Sequence, residues 1–181
     1  MRPHTHRIIT ESVLDRLGIS ERSEILTGAE KADTILANIT MGHYFNGASP
    51  EKSDALKNIM KQLEKNNLVG LGVACHIAQD IALPVHSNPF EPLLHFSWEG
   101  WIDKHISALM EDVYVSTDLS YYPELLLVYN EIANRSFSML DDMKKAWACD
   151  KKAFHAMAVE CIQSGVNGSV FIIENWERLR V

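Results

Sequence analysis

The chain has 181 residues, 46% of them hydrophobic and 23% charged, with a formal net charge of −7. That is apolar material enough for one core, so a single domain over residues 1–181 is expected; the acidic balance disfavours a broad basic surface for nucleic acid. No apolar run approaches the ~18 residues of a bilayer span, and three cysteines without a close motif fit a reducing compartment better than a disulfide scaffold.

The pattern reads as helical throughout, and nothing alternates as a strand does. Residues 5–17 form a first expected helix closed by Gly18, and residues 31–45 a second that stops at Gly47-Ala48-Ser49-Pro50. A third starts at Ser49 or Pro50 and runs to about Lys65; Glu51, Asp54, Lys57, Lys61 and Glu64 interleave with Leu56, Ile59, Met60 and Leu63 as a solvated face does. Residues 68–83 follow, ending before Pro84. The stretch 84–92 holds three prolines and Asn88 and reads as a loop. Pro92 opens a helix to about Tyr114, and residues 119–141 and 151–178, separated by a charged connector at 144–150, complete an all-α bundle. Gly165 and Gly168 inside the last helix suit close helix packing.

The helix at 68–83 carries an unusual pair, His76 and Asp80, among Leu71, Val73, Ala74, Cys75, Ile77, Ala78 and Ile81. A helix apolar nearly all round is normally buried, and a buried carboxylate costs several kcal/mol unless it is paired or metal-bound. A satisfied His–Asp core pair is the bland explanation of one such motif. Here His95 and Glu99 repeat the four-residue spacing, and His86 lies between the pairs. Residues four apart share a helix face, so each pair can place an imidazole and a carboxylate on one ion. Imidazole with carboxylate suits Zn²⁺, with Mn²⁺ or Fe²⁺ possible. Such ions acidify bound water and clamp phosphoryl oxygens, which points to hydrolysis.

His76-x-x-x-Asp80 followed by Pro84-Val85-His86, then His95-x-x-x-Glu99, resembles the motif order of the zinc-dependent phospholipase C and S1/P1 nuclease family. Upstream, Asp33 in Gly28-Ala29-Glu30-Lys31-Ala32-Asp33, His43 in Gly42-His43-Tyr44-Phe45, and His6 resemble that family's aspartate, histidine and amino-terminal histidine. The resemblance implies a helical bundle of the phospholipase C/P1 nuclease type holding two or three zinc ions. One ion would use His43, His76 and Asp80 with Asp33 nearby, a second His86, His95 and Glu99, and a third His6 with Asp80 as bridge. Asp33 would be a ligand or the base for the attacking water. Family members complete the third site with the amino group and carbonyl of a terminal tryptophan, whereas this chain begins Met1-Arg2-Pro3-His4. In an extended segment His4 and His6 project to one side, making His4 a possible replacement ligand.

These readings converge on a metal-dependent phosphoesterase acting on a phospholipid, nucleic acid or small phosphodiester, with Tyr44 and Phe45 as a candidate substrate wall. The alternative is a diverged, non-catalytic metal-binding helical protein. An unrelated His/Asp phosphohydrolase fits less well, since adjacent His-Asp is absent. No apolar signal core opens the chain, so a cytoplasmic location is expected, and no protein partner is inferred.

Overall fold

The computed structural model describes residues 1–35, 54–87, 92–114 and 124–179. Every regular element among the described residues is helical, as the sequence pattern requires: α1 Pro3–Arg16, α2 Ser23–Ile35, α3 Asp54–Glu64, α4 Leu68–Ile81, a 3₁₀ turn Pro84–Ser87, α5 Pro92–Glu111, α6 Leu125–Cys149, α7 Lys151–Glu174 and the short α8 Trp176–Leu179. The centre is α4. Asn67 starts it by accepting the Gly70 N–H at 2.7 Å, a standard N-cap, and from Gly70 to Ile81 every residue is buried. It packs on α1, α2, α3, α6 and α7, so His76 and Asp80 lie in the middle of the bundle.

Two glycines make the α2–α4 crossing possible. A Cβ on Gly72 would collide with the Ile25 carbonyl, and one on Gly28 with that of Val69. Without side chains there, the two backbones touch, and the Ala29 carbonyl comes within 2.8 Å of His76 Nδ1. Gly165 acts similarly on the other side: a Cβ would sit 3.1 Å from the Cα of Gln79, so α7 lies hard against α4, as the glycines in that helix suggest.

Several boundaries depart from the sequence reading: the stretch read as a loop opens with a 3₁₀ turn at Pro84–Ser87, the last helix ends at Glu174 rather than residue 178, and three more have clear causes. The first helix begins at Pro3 rather than residue 5, with proline in its first turn, a position where the missing N–H is no loss. The second begins at Ser23 rather than residue 31, because Ile25, Leu26, Ala29 and Ala32 already form a buried stripe at helical spacing. The charged stretch 144–150 is no connector: α6 runs through it to Cys149, anchored by buried Met143 and Ala146. The break is Asp150 alone, whose carboxylate accepts the Lys152 and Ala153 N–H groups and caps α7.

Of the described helices, α7 is long and apolar enough by length and composition to cross a membrane, contrary to the expectation that no run is. However, 61% of its most apolar stretch is buried inside the protein, as in a core helix. Cys75, Cys149 and Cys161 are all free.

Candidate metal centre

Four segments converge on one buried cluster: the start of α1, α4, the 3₁₀ turn and the first turns of α5. Asp80 is its hub, 1% exposed. His6 Nε2 lies 3.1 Å from Asp80 Oδ1, His76 Nε2 3.1 Å from Oδ2 and His86 Nε2 3.4 Å from Oδ1. Beside it, Glu99 Oε1 is 2.6 Å from His95 Nε2 and 3.2 Å from His86 Nε2. The terminal ammonium of Met1 sits between the carboxylates, bonded to Asp80 Oδ1 and 2.8 Å from Glu99 Oε1. Asp33 stands at the rim, half exposed, its carboxylate 3.4 Å from His76 Nε2.

Two sets have their ligand atoms within 4.8 Å of one another: His6, His76 and Asp80, and His86, His95 and Glu99. Adjacent donors on a tetrahedral Zn²⁺ with arms of 2.0–2.1 Å are about 3.3 Å apart, close to the separations here. The back sides of two of the imidazoles are also organised as ligands require. His76 Nδ1 donates to the Ala29 carbonyl at 2.8 Å, and His6 Nδ1 donates to Gln79 Oε1 at 2.8 Å. Each ring therefore turns Nε2 toward Asp80. The two rings stack, with centroids 3.7 Å apart.

The electrostatics follow from burial and from the charges that burial leaves in contact. Burial pushes His6 down to about 4, reinforced by His76 and only partly opposed by Asp80. His86 is likewise lowered by burial to about 4 against the pull of Asp80. Burial would also lower His76, but Asp80 and Asp33 overcome it and raise that ring to about 9. For the Met1 ammonium, burial is overcome by Asp80 and Glu99, which raise it to about 10. Burial works to raise both carboxylates; His86, the ammonium, His6 and His76 nonetheless hold Asp80 well below the usual range. The ammonium, His86 and His95 do the same for Glu99. Near neutral pH and without an ion, these shifts favour a charged His76 and Met1 ammonium beside the buried carboxylates, and the neutral forms of His6 and His86.

No protein-family model and no curated protein matches this chain. Of the residues singled out in the sequence, His6, His76, Asp80, His86, His95 and Glu99 are brought together and Asp33 borders them. His43, Tyr44 and Phe45 lie outside the described residues. His4 is excluded from the cluster: α1 is already helical there, so residues two apart point to different sides, and His4 is exposed while His6 is fully buried.

Two participants escaped the sequence reading. Met1 contributes both its ammonium and its carbonyl, the latter 3.1 Å from His6 Nε2. Gln79 is a buried amide in an otherwise oily run, and that polarity was the available signal. Trp98 belongs to the core, fully buried and edge-on to Phe154 at 5.4 Å.

Proposed function

We propose that the chain is a metal-dependent phosphoesterase, with zinc the ion its donors suit best, of the zinc-dependent phospholipase C and S1/P1 nuclease type. One observation carries the reading. In the neutral ring that burial favours, with Nδ1 donating to Gln79 Oε1, His6 Nε2 carries a lone pair. It nevertheless faces two oxygens at 3.1 Å, the Met1 carbonyl and Asp80 Oδ1. Lone pairs opposed at that distance in a buried site are unfavourable, and a cation among them reverses the sign.

His6, His76 and Asp80 would hold one ion, with the Met1 carbonyl as a further donor and the Met1 nitrogen another once its ammonium gives up a proton, and His86, His95 and Glu99 would hold a second. Bound zinc supplies Lewis acidity and an acidified water, and neighbouring ions suit a phosphoryl group. The protein's own contribution is directional. Asp33, at the exposed rim beside His76, would accept a proton from the attacking water, and His95 is the least buried member of the second set. The seating of the Met1 ammonium on both carboxylates favours a second reading, a diverged non-catalytic protein whose cluster is balanced without turnover.

Zinc reconstitution at neutral pH, followed by elemental analysis and a turnover panel, separates these. The panel is a bis-aryl phosphodiester, phosphatidylcholine, single-stranded DNA and a nucleoside monophosphate. The expected result is two or more equivalents, matching the two ligand sets, and chelator-sensitive hydrolysis of at least one substrate. Less than one equivalent overturns the metal centre; full metal content with no hydrolysis selects the non-catalytic reading.

A further inference from the structure

Gln79 sits between the two α4 ligands in sequence, yet its side chain turns toward other helices. Its Nε2 donates to Thr10 Oγ1 on α1 and to Ser169 Oγ on α7, both at 3.0 Å. The Ser169 hydroxyl proton goes to the Gly165 carbonyl at 2.9 Å, so that oxygen is left to accept. Gly165 lets the Gln79 stem press against α7, with a would-be Cβ 3.4 Å from Cγ. With its nitrogen held on Thr10 and Ser169, the amide presents Oε1 to His6 Nδ1 at 2.8 Å. An amide oxygen can only accept, so the single proton of neutral His6 is drawn to Nδ1.

The reversed amide would have the opposite effect. Its NH₂ would face His6 Nδ1 and drive the proton to Nε2, where it would bond to Met1 O or Asp80 and close the cluster to a cation. It would also set the amide oxygen against a serine oxygen whose proton is engaged elsewhere. We propose that Gln79 is a positioning residue: through the Thr10–Gln79–Ser169 network it selects the His6 tautomer that offers Nε2 to a divalent cation. The inference rests on the metal-centre reading and adds to it a residue that touches neither ion nor substrate.

The test uses the full chain, zinc alone as ligand, and the variants Gln79→Met and Gln79→Glu. Heteronuclear NMR of the imidazole nitrogens, on chelated protein above the His6 titration, should show wild-type His6 protonated at Nδ1. That signature should be lost in Gln79→Met and kept in Gln79→Glu, whose carboxylate still accepts. In zinc competition titrations, Gln79→Met should weaken one ion by about 10–100-fold, the usual effect of losing such a partner. The ion on His86, His95 and Glu99 should keep its affinity, and Gln79→Glu should restore the weakened one. Wild-type His6 protonated at Nε2 overturns the proposal, even if neither variant folds. So does a Gln79→Met protein that binds every zinc as tightly as wild type. A wild type that binds no zinc overturns the metal-centre reading and, with it, the role toward a cation; the NMR result then still reports whether Gln79 sets the tautomer.

Discussion

Replacing Asp80 by Asn isolates the charge at the hub of the cluster, since the side chain keeps its volume and leaves no cavity. In the metal-free protein Asp80 faces the Met1 ammonium and the His6, His76 and His86 rings. Removing one partner of a buried ion pair costs about 3–5 kcal/mol. The lower end applies here because His76 can shed its proton once the carboxylate is gone, and the ammonium keeps Glu99 at 2.8 Å. For a chain of this size 1 kcal/mol shifts Tm by about 2–4 °C, so about 3 kcal/mol gives a drop of roughly 6–12 °C. The assay is thermal unfolding by circular dichroism at neutral pH, in chelator and then with excess zinc. Zinc should raise Tm of the wild type and do so much less for Asp80→Asn, because a ligand stabilises only the state that binds it. A chelated mutant melting within about 2 °C of wild type, well short of that range, would show that Asp80 carries no such charge burden and would refute the reasoning.

Two other perturbations address separate parts of the site. Asp33→Asn should leave most zinc in place, since His76, His86 and His95 do not depend on it, while turnover falls about 10²–10⁴-fold as for a lost acid–base group; retention of more than about a third of the rate lies outside that range and would remove Asp33 from this role. Stability of the chelated protein should peak near pH 6.5. His6 and His86 have folded values lowered to about 4 from 6.5, so the unfolded chain binds more protons in that window and stability is lost as pH falls through it. Asp80 and Glu99, depressed in the fold, add to the loss at still lower pH. His76, raised to about 9, and the Met1 ammonium, raised to about 10, act oppositely: their contribution is complete below the unfolded values and fades as pH rises through the folded ones. Denaturant titrations across this range check the shape, and a flat profile would contradict it.

The helical class was legible in the sequence because a periodic apolar stripe marks α3, α4 is one long apolar run, and His-x-x-x-acid spacing is itself a helical statement. What escaped was set by contacts distant in sequence. His4 does not share a side with His6, because Pro3 starts a helix where an extended segment would have been needed. The stretch 144–150 looked like a connector by charge, yet a few buried side chains sufficed to carry α6 through it, and only the capping geometry of Asp150 stopped it. Gln79 and Met1 acquire their roles from Ser169, Thr10, His6 and Glu99, partners that no local pattern names. The carbonyl of Ala29, likewise, becomes a histidine partner only because Gly28 and Gly72 let two backbones meet.

The single-residue joint at Asp150 bears on how the protein assembles. Helices of 25 and 24 residues turn back on each other across it, forming a hairpin whose contacts are mostly local, and local contacts form fast. None of the candidate ligands lies in this half. The cluster, by contrast, closes loops as long as that between Met1 and Asp80, 79 residues apart, and such closures are slow. The hairpin is therefore expected to form early, with α4 docking onto it and the amino-terminal segment closing the cluster afterwards. On this order an ion held by the clustered ligands would bind after folding, unlike in small zinc domains for which metal binding is the folding event.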